Sequence, residues 1–131
     1  MKKIENKVML ITYADSMGEC FLALVDGSYI MEAEGKTFCY TGDTNTVEGL
    51  TDFAKEADFL LADGLFTDAT WAEGKPHLSA THVAQLANDA DVHRFVITHL
   101  NPAIDPETLL REARAIRIDA LLAKPGDSYE V

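Results

Sequence analysis

Cys39-Tyr40-Thr41-Gly42-Asp43-Thr44-Asn45-Thr46 is the stretch from which the rest of the chain is read. The run 37–40 is short and favours β structure, and Gly42 ends it. A carboxylate, Asp43, follows at once. Asn45, with Glu48 three residues on, makes a capping-box pattern, so a helix is expected to start there. Asp43 then falls at the C-terminal tip of a strand, on the loop that enters a helix. In α/β sheets that rim gathers ligands and catalytic groups. A carboxylate fixed there can hold a hard or borderline cation. The competing reading is a plain tight turn, because Gly and Asp are ordinary turn residues.

Upstream, the chain reads as antiparallel β. Runs 8–13 and 20–25 are strand-like, with a loop over 14–19 between them. Asp26-Gly27 is a hairpin turn signal, 28–33 continues the meander, and Glu34-Gly35 is the next turn. Downstream, the pattern changes to alternating helix and strand. Val47, Leu50, Phe53, Ala54 and Ala57 recur at helical spacing. The apolar run 59–62 is stopped by Asp63-Gly64, and 65–76 has no period and reads as a loop in which Trp71 covers part of the surface. Ser79 caps a helix whose apolar face is Val83, Leu86, Ala87 and Ala90. A buried strand over 95–98 ends at His99-Leu100-Asn101-Pro102. Asp105 caps a further helix with Pro106 at its first position. Leu109, Leu110, Ala113 and Ile116 form its inner face. A strand over 118–123 is closed by Lys124-Pro125-Gly126, and 128–131 is read as a final edge strand. This order predicts a single α/β (α+β) domain over 1–131: a mixed sheet with helices packed on one face. Nothing in the sequence is expected to cover the other face, and an uncovered apolar face needs a partner.

The totals narrow the function. At 131 residues, 47% hydrophobic and 25% charged, the chain suits one globular core. A formal net charge of −11 argues against a general nucleic-acid or anionic-membrane surface, which needs clustered Lys and Arg. A phosphate substrate stays open, since a bound metal reverses the local field. Cys20 and Cys39 lie in apolar runs and read as small buried thiols. No stretch is long and apolar enough to span a bilayer and none has the pattern of a signal peptide, so a reducing cytoplasm is the expected setting.

Asp43, Asp63, His77 and His99 all follow strand or loop ends. His99 stands at a strand tip before Asn101-Pro102 and is placed for a metal, or is a turn histidine. His77, between Pro76 and the Ser79 cap, is a ligand, a proton donor or a loop residue that helps the cap. Asp63 is a further rim carboxylate, or half of an Asp-Gly turn. His82 is expected to face solvent from its helix, and His93 to be exposed in a turn. Convergence of the widely separated rim residues is a stronger signal than any one of them. It supplies only two or three metal ligands, fewer than a two-metal hydrolytic site requires.

Three segments carry a resemblance. Lys36-Thr37-Phe38-Cys39-Tyr40-Thr41-Gly42-Asp43-Thr44 resembles the "GDT" strand and loop of the metallo-β-lactamase superfamily. Pro76-His77-Leu78-Ser79-Ala80-Thr81, with Val83-Ala84-Gln85-Leu86-Ala87, is similar to the "HLTA" or "HSTA" helix start of its ribonuclease Z-like branch. Phe95-Val96-Ile97-Thr98-His99-Leu100-Asn101-Pro102 resembles that branch's "LVLTHxxP" strand end, and the tail 120–131 resembles its closing strands. The match runs from 34 to 131. The resemblance implies an αββα sandwich of two similar halves with a di-metal site along one edge. It implies that Asp43 bridges metals, that His99 binds one of them, and that His77 acts near the scissile group. Zinc or manganese is the implied cofactor. Hydrolysis by metal-bound hydroxide, of phosphodiesters or related bonds, is the implied chemistry.

The chain departs from the family pattern. The His-x-His-x-Asp-His signature is missing, and no His precedes His77. Tyr13-Ala14-Asp15-Ser16-Met17-Gly18-Glu19-Cys20-Phe21 stands where a further metal His is expected, with Asp15 or Ser16 at the lost position; alternatively 7–33 matches the family's opening strands and the middle is deleted. Either way the chain resembles the C-terminal half of the fold. Half a sandwich leaves a sheet face bare. At about 25 cal/mol per Å², several hundred Å² is worth on the order of 10 kcal/mol, comparable to a whole domain's stability. The expected cover is a second copy, giving a homodimer with sheets stacked at about 10 Å, or a complementary half-domain chain.

The leading function is therefore a metallo-β-lactamase-fold hydrolase or part of one, weakly active or inactive alone. A non-catalytic homodimeric interaction module is the second class. A receiver-like small binding domain is the third, suggested by Asp63 and by Lys124-Pro125 after strands, but lacking an N-terminal acidic pair for Mg²⁺ and at odds with the meander. A P-loop is excluded, because 41–46 has neither the glycine spacing nor the Lys.

Overall fold

The computed structural model describes residues 9–15, 18–25, 28–46 and 48–131, with side chains described from Ile30 onward except Ala33. The first four strands are β1 (Met9–Asp15), β2 (Gly18–Val25), β3 (Ser28–Ala33) and β4 (Lys36–Tyr40). They pair antiparallel in sequence order. Glu34 and Gly35 join β3 to β4 with φ of 53° and 75°. Two left-handed residues are what a two-residue hairpin turn of matching twist requires. Strands β1 and β2 run into the segment 14–19 that was expected to be a loop, pairing as far as Asp15 with Gly18. The Asp26-Gly27 turn, Ser16 and Val47 lie outside the described residues, as does the side chain of Cys20.

From β4 onward the sheet is parallel. It continues through β5 (Phe59–Asp63), β6 (Arg94–Thr98) and the two-residue β7 (Leu121–Leu122). The crossovers carry α1 (Leu50–Ala54), α2 (Ala80–Asp89) and α3 (Pro106–Ile116). Strand order is β1 to β7 without exchange. Right-handed crossovers between successive neighbours put every helix on the same face. The same order has no reversal point, so a receiver-like doubly wound sheet is excluded.

Alternation decides what each face buries. Cys39, Leu60 and Phe95 lie in one row across β4, β5 and β6, and Ala62, Ile97 and Leu122 in the next. These side chains meet Leu50, Phe53, Val83, Leu86, Leu109 and Ala113 from the helices in one core. The helical spacing read from the sequence therefore marks the buried stripe, although α1 is one short turn. Helix α2 starts where Ser79 accepts the amide of His82 at 3.1 Å. Helix α3 starts where Asp105 accepts the amide of Glu107 at 3.0 Å, with Pro106 behind it.

The opposite face carries the intervening rows, Phe38, Phe59 and Arg94, then Tyr40, Leu61, Val96 and Leu121. It is not bare. The segment after β7 returns over it and sets the Tyr129 ring 5.5 Å from Phe59, which also stacks on Phe38 at 5.7 Å. The Arg94 guanidinium lies over both Phe59 and Tyr129. Phe59 and Val96 are buried, while Leu61 and Leu121 remain half-buried. Residues 128–131 thus cover the sheet as coil and do not extend its edge.

Three further expectations are corrected. Asn45 caps no helix: α1 begins at Leu50 behind Gly49, which has φ 87°. The strand read over 118–123 shrinks to two residues, and Ile118 is 80% exposed. Arg117 is the reason, since its guanidinium donates to the carbonyls of Val92 and His93 and to Asp119, holding the chain in a turn as far as Ala120. Ile116 closes α3 37% exposed and stands outside the buried core. Among the described residues no helix is long and apolar enough to cross a membrane.

Gly64 follows β5 in tight quarters. A Cβ there would stand 2.4 Å from Ile97 Cγ2, a stiff β-branched side chain that is fully buried. Gly64→Ala is expected to lose about 1–3 kcal/mol in denaturant unfolding. Gly74→Ala, where nothing lies within 4 Å, is the control and should change little.

Candidate metal centre at the strand tips

Three parallel strands end at one rim, so their tips bring distant residues together. Thr41 prolongs the ladder, its amide donating to Leu61 O at 3.1 Å. Gly42 then turns through the left-handed region at φ 63°, which glycine adopts without strain. Asp43 follows, its side chain 62% exposed. On β5, Asp63 ends the strand with a carboxylate only 1% exposed. Its backbone amide donates to Thr41 Oγ1 at 3.0 Å, fastening the two tips together. After β6, His99 takes φ 59°. Left-handed geometry is uncommon for a residue with a Cβ and concentrates at functional sites.

The side chains converge. His99 Nδ1 lies 3.1 Å from Asp43 Oδ1 and 3.6 Å from Asp63 Oδ1. His77 Nδ1 is bonded to Asp63 Oδ2 at 2.5 Å. The His77 and His99 rings meet edge to face, 4.7 Å between centroids. One ligand atom from each of Asp43, Asp63, His77 and His99 falls within 4.8 Å of the others. Exposure grades from Asp63 at the floor, through His77, to His99 and Asp43 at the mouth. All four rim residues singled out in the sequence are therefore brought together. His93 is exposed, as expected.

Asp63 does more than a rim ligand would. Its Oδ2 also accepts the amide of Thr44 at 3.2 Å, and its Oδ1 accepts the amide of Leu65 at 3.3 Å. Burial pushes its carboxyl above the ordinary carboxylate range, opposed by the hydrogen bond and charge of His77, by the Thr44 amide and by His99. With Nδ1 engaged by the Asp63 carboxylate, Nε2 is the ring nitrogen outside that bond.

The loop 65–78 reaches His77 by a held path. Its base is pinned by amide bonds from Phe66 to Leu78 O and from Ala80 to Phe66 O. Asn45 clamps its far side, its amide nitrogen facing the carbonyls of Ala72, Glu73 and Lys75. Asn45 Oδ1 accepts from Trp71 Nε1 at 3.0 Å. Trp71 in turn covers His82, with ring centroids 4.3 Å apart. His82 is consequently half-buried, with Nδ1 2.6 Å from Ser79 Oγ, and does not face solvent as its helical position suggested. Neither the Asn45 clamp nor the Asp63–His77 pair has a local sequence signal, since each bridges more than ten residues.

Two carboxylates and two imidazoles are a donor set that zinc and manganese both accept. One ligand atom from each of Asp43, Asp63, His77 and His99 could be offered to a single ion here. The site is thus a group that could hold a metal ion at the end of a mixed α/β sheet.

The family model described as "Beta-lactamase superfamily domain" matches residues 25–100. The ribonuclease Z of Haloferax volcanii is 40% identical over 102 residues, 74% of this chain and 32% of that one. The ribonuclease Z of Methanosarcina acetivorans is 35% identical over 101 residues, 74% of this chain and 33% of that one. Among solved structures, a metallo-β-lactamase fold protein of Bacillus subtilis superposes with a TM-score of 0.73 at 18% identity, covering 94% of this chain and 49% of that one. The chain belongs to the metallo-β-lactamase superfamily, in its ribonuclease Z-like branch. It spans about a third of the length of the ribonuclease Z relatives it matches.

Only a carboxylate accepts at both oxygens. Asp63→Asn is expected to leave an N–H opposite an N–H at Thr44 or Leu65, with loss of a charge-assisted bond worth about 1.5–3 kcal/mol. Hydrogen exchange at one of those two amides should quicken at least about tenfold, while Asp43→Asn should leave both protected. Unchanged protection in Asp63→Asn would contradict the assignment of these bonds.

Proposed function

We propose that the chain is the metal-site half of a phosphodiesterase-like hydrolase. The observation that carries this reading is the convergence of Asp43, Asp63, His77 and His99 within 4.8 Å at the sheet rim. The likeness to proteins named ribonuclease Z supports the substrate class. Asp43 and His99, with Asp63, would hold a zinc or manganese ion. When bound, such an ion supplies a water of lowered pKa and stabilises charge developing on the substrate. His77, oriented through Nδ1 by Asp63, presents Nε2 to the leaving group and transfers a proton there. The exposed mouth at Asp43 and His99 is the side from which substrate arrives. Activity of the chain alone is weak or absent, because its residues offer ligands for one ion and lack the His-x-His-x-Asp-His donors. The buried Cys39 thiol accords with a reducing cytoplasm.

The half-buried Leu61 and Leu121, beside Val96 on the sheet face away from the helices, support a further part of this reading: a second copy of the chain closes that face. Its identical apolar surface is self-complementary under two-fold symmetry. Light scattering at micromolar concentration is expected to give about twice 14.4 kDa. A monomeric mass would remove the dimer and leave the metal site standing.

Calorimetric titration with zinc and with manganese tests the site. One ion per chain is expected, with binding lost in Asp43→Ala and in His99→Ala. His77→Ala should keep the ion and lose any metal-dependent hydrolysis of bis(p-nitrophenyl) phosphate by at least about a hundredfold. No binding of either ion, or turnover that survives chelation, would overturn the reading.

A further inference from the structure

We propose that Asn45 is a positioning residue for His77, coupling the loop that carries Asp43 to the loop that carries the proton-transfer histidine. Asn45 lies two residues after Asp43, and the segment it grips, 72–75, ends two residues before His77. A side-chain amide has two N–H donors and an oxygen with two lone pairs. Here all of that capacity is used. Nδ2 stands 3.1, 3.2 and 2.5 Å from the carbonyls of Ala72, Glu73 and Lys75. Oδ1 accepts from Trp71 Nε1 at 3.0 Å and from the Thr46 amide at 2.6 Å. A turn or cap asparagine makes one or two local bonds; beside its bond to Thr46, this one makes four contacts 26–30 residues away.

The consequences reach His77 by two routes. Lys75, whose carbonyl takes the shortest of these bonds, folds its ammonium back over Phe66 and onto Thr70 O. The Phe66 ring flanks His77 at 5.9 Å. Trp71, held by Asn45 Oδ1, packs on His82, whose Nδ1 meets the Ser79 hydroxyl that starts α2 two residues after His77. The bond from His77 to Asp63 sets the ring's azimuth, and the clamp sets where its backbone stands. Groups that orient a site from behind commonly matter tenfold to a hundredfold.

This inference rests on the reading of His77 as the proton-transfer group, and the test separates the two. Trp71 is the sole tryptophan, so its emission reports the clamp in the whole metal-free chain. The His77 ring ¹⁵N–¹H resonances report the bond to Asp63. Asn45→Ala is expected to red-shift the emission, to move or broaden the His77 signals, and to lower metal-dependent turnover about tenfold with zinc affinity within about threefold of wild type. Asn45→Asp keeps the oxygen that accepts from Trp71 and turns a carboxylate toward three carbonyls, and it is expected to move the same signals. Unchanged His77 resonances in folded Asn45→Ala overturn the proposal. If that variant does not fold, unchanged resonances in folded Asn45→Asp overturn it. Absence of zinc and manganese binding in wild type sinks the metal-site reading, and the metal-free spectra alone then decide the clamp.

Discussion

A carboxylate that is only 1% exposed has to be compensated by whatever lies around it, and at the sheet rim Asp63 gathers three partners. The Thr44 amide belongs to the loop after β4, the Leu65 amide to the turn after β5, and the His77 ring to the loop before α2. Each is drawn to the same buried charge. The three loops could not spread apart without leaving that charge unpaired, which is among the largest single costs a fold can carry. The order of the rim therefore follows from one side chain, and Thr41 adds the complementary bond to the Asp63 backbone. Burial working against ionisation is the expense of this arrangement, seen in the raised carboxyl pKa.

The sheet explains why the rim exists at all. Four parallel strands with consecutive order place their C-terminal ends side by side, and all three helices lie on one face. The other face is closed in part by Tyr129 and Arg94 against Phe59. The superfamily relationship gives this architecture its context, since the chain covers 49% of the Bacillus subtilis neighbour and about a third of the ribonuclease Z relatives. On the proposed reading, a site with ligands for one ion is what such a share of the fold would carry.

Much of this was legible in the sequence where the signal is local. Gly42-Asp43, Ser79 and Asp105-Pro106 announce their turns and caps through chemistry confined to a few residues, and each stands where that chemistry places it. The four rim residues were legible as strand or loop endings. Asn45 was misread for an instructive reason. The capping-box pattern is satisfied by sequence, but the side chain is drawn away by carbonyls nearly thirty residues on. His82 was misread likewise, because helical periodicity cannot show that a loop tryptophan lies over it. The strand read over 118–123 gives way at 118–120 to a turn held by Arg117. Non-local contacts are the common element in these departures, and no window of sequence contains them.

Anomalous diffraction at the zinc edge, from crystals of the chain grown with zinc, tests the central claim most directly. The account predicts one peak at the rim within ligating distance of Asp43 and His99, about 2.0–2.2 Å from a carboxylate oxygen and an imidazole nitrogen. A zinc-containing crystal with no peak there, or with Asp43 and His99 still paired to each other and the ion bound elsewhere, would contradict it.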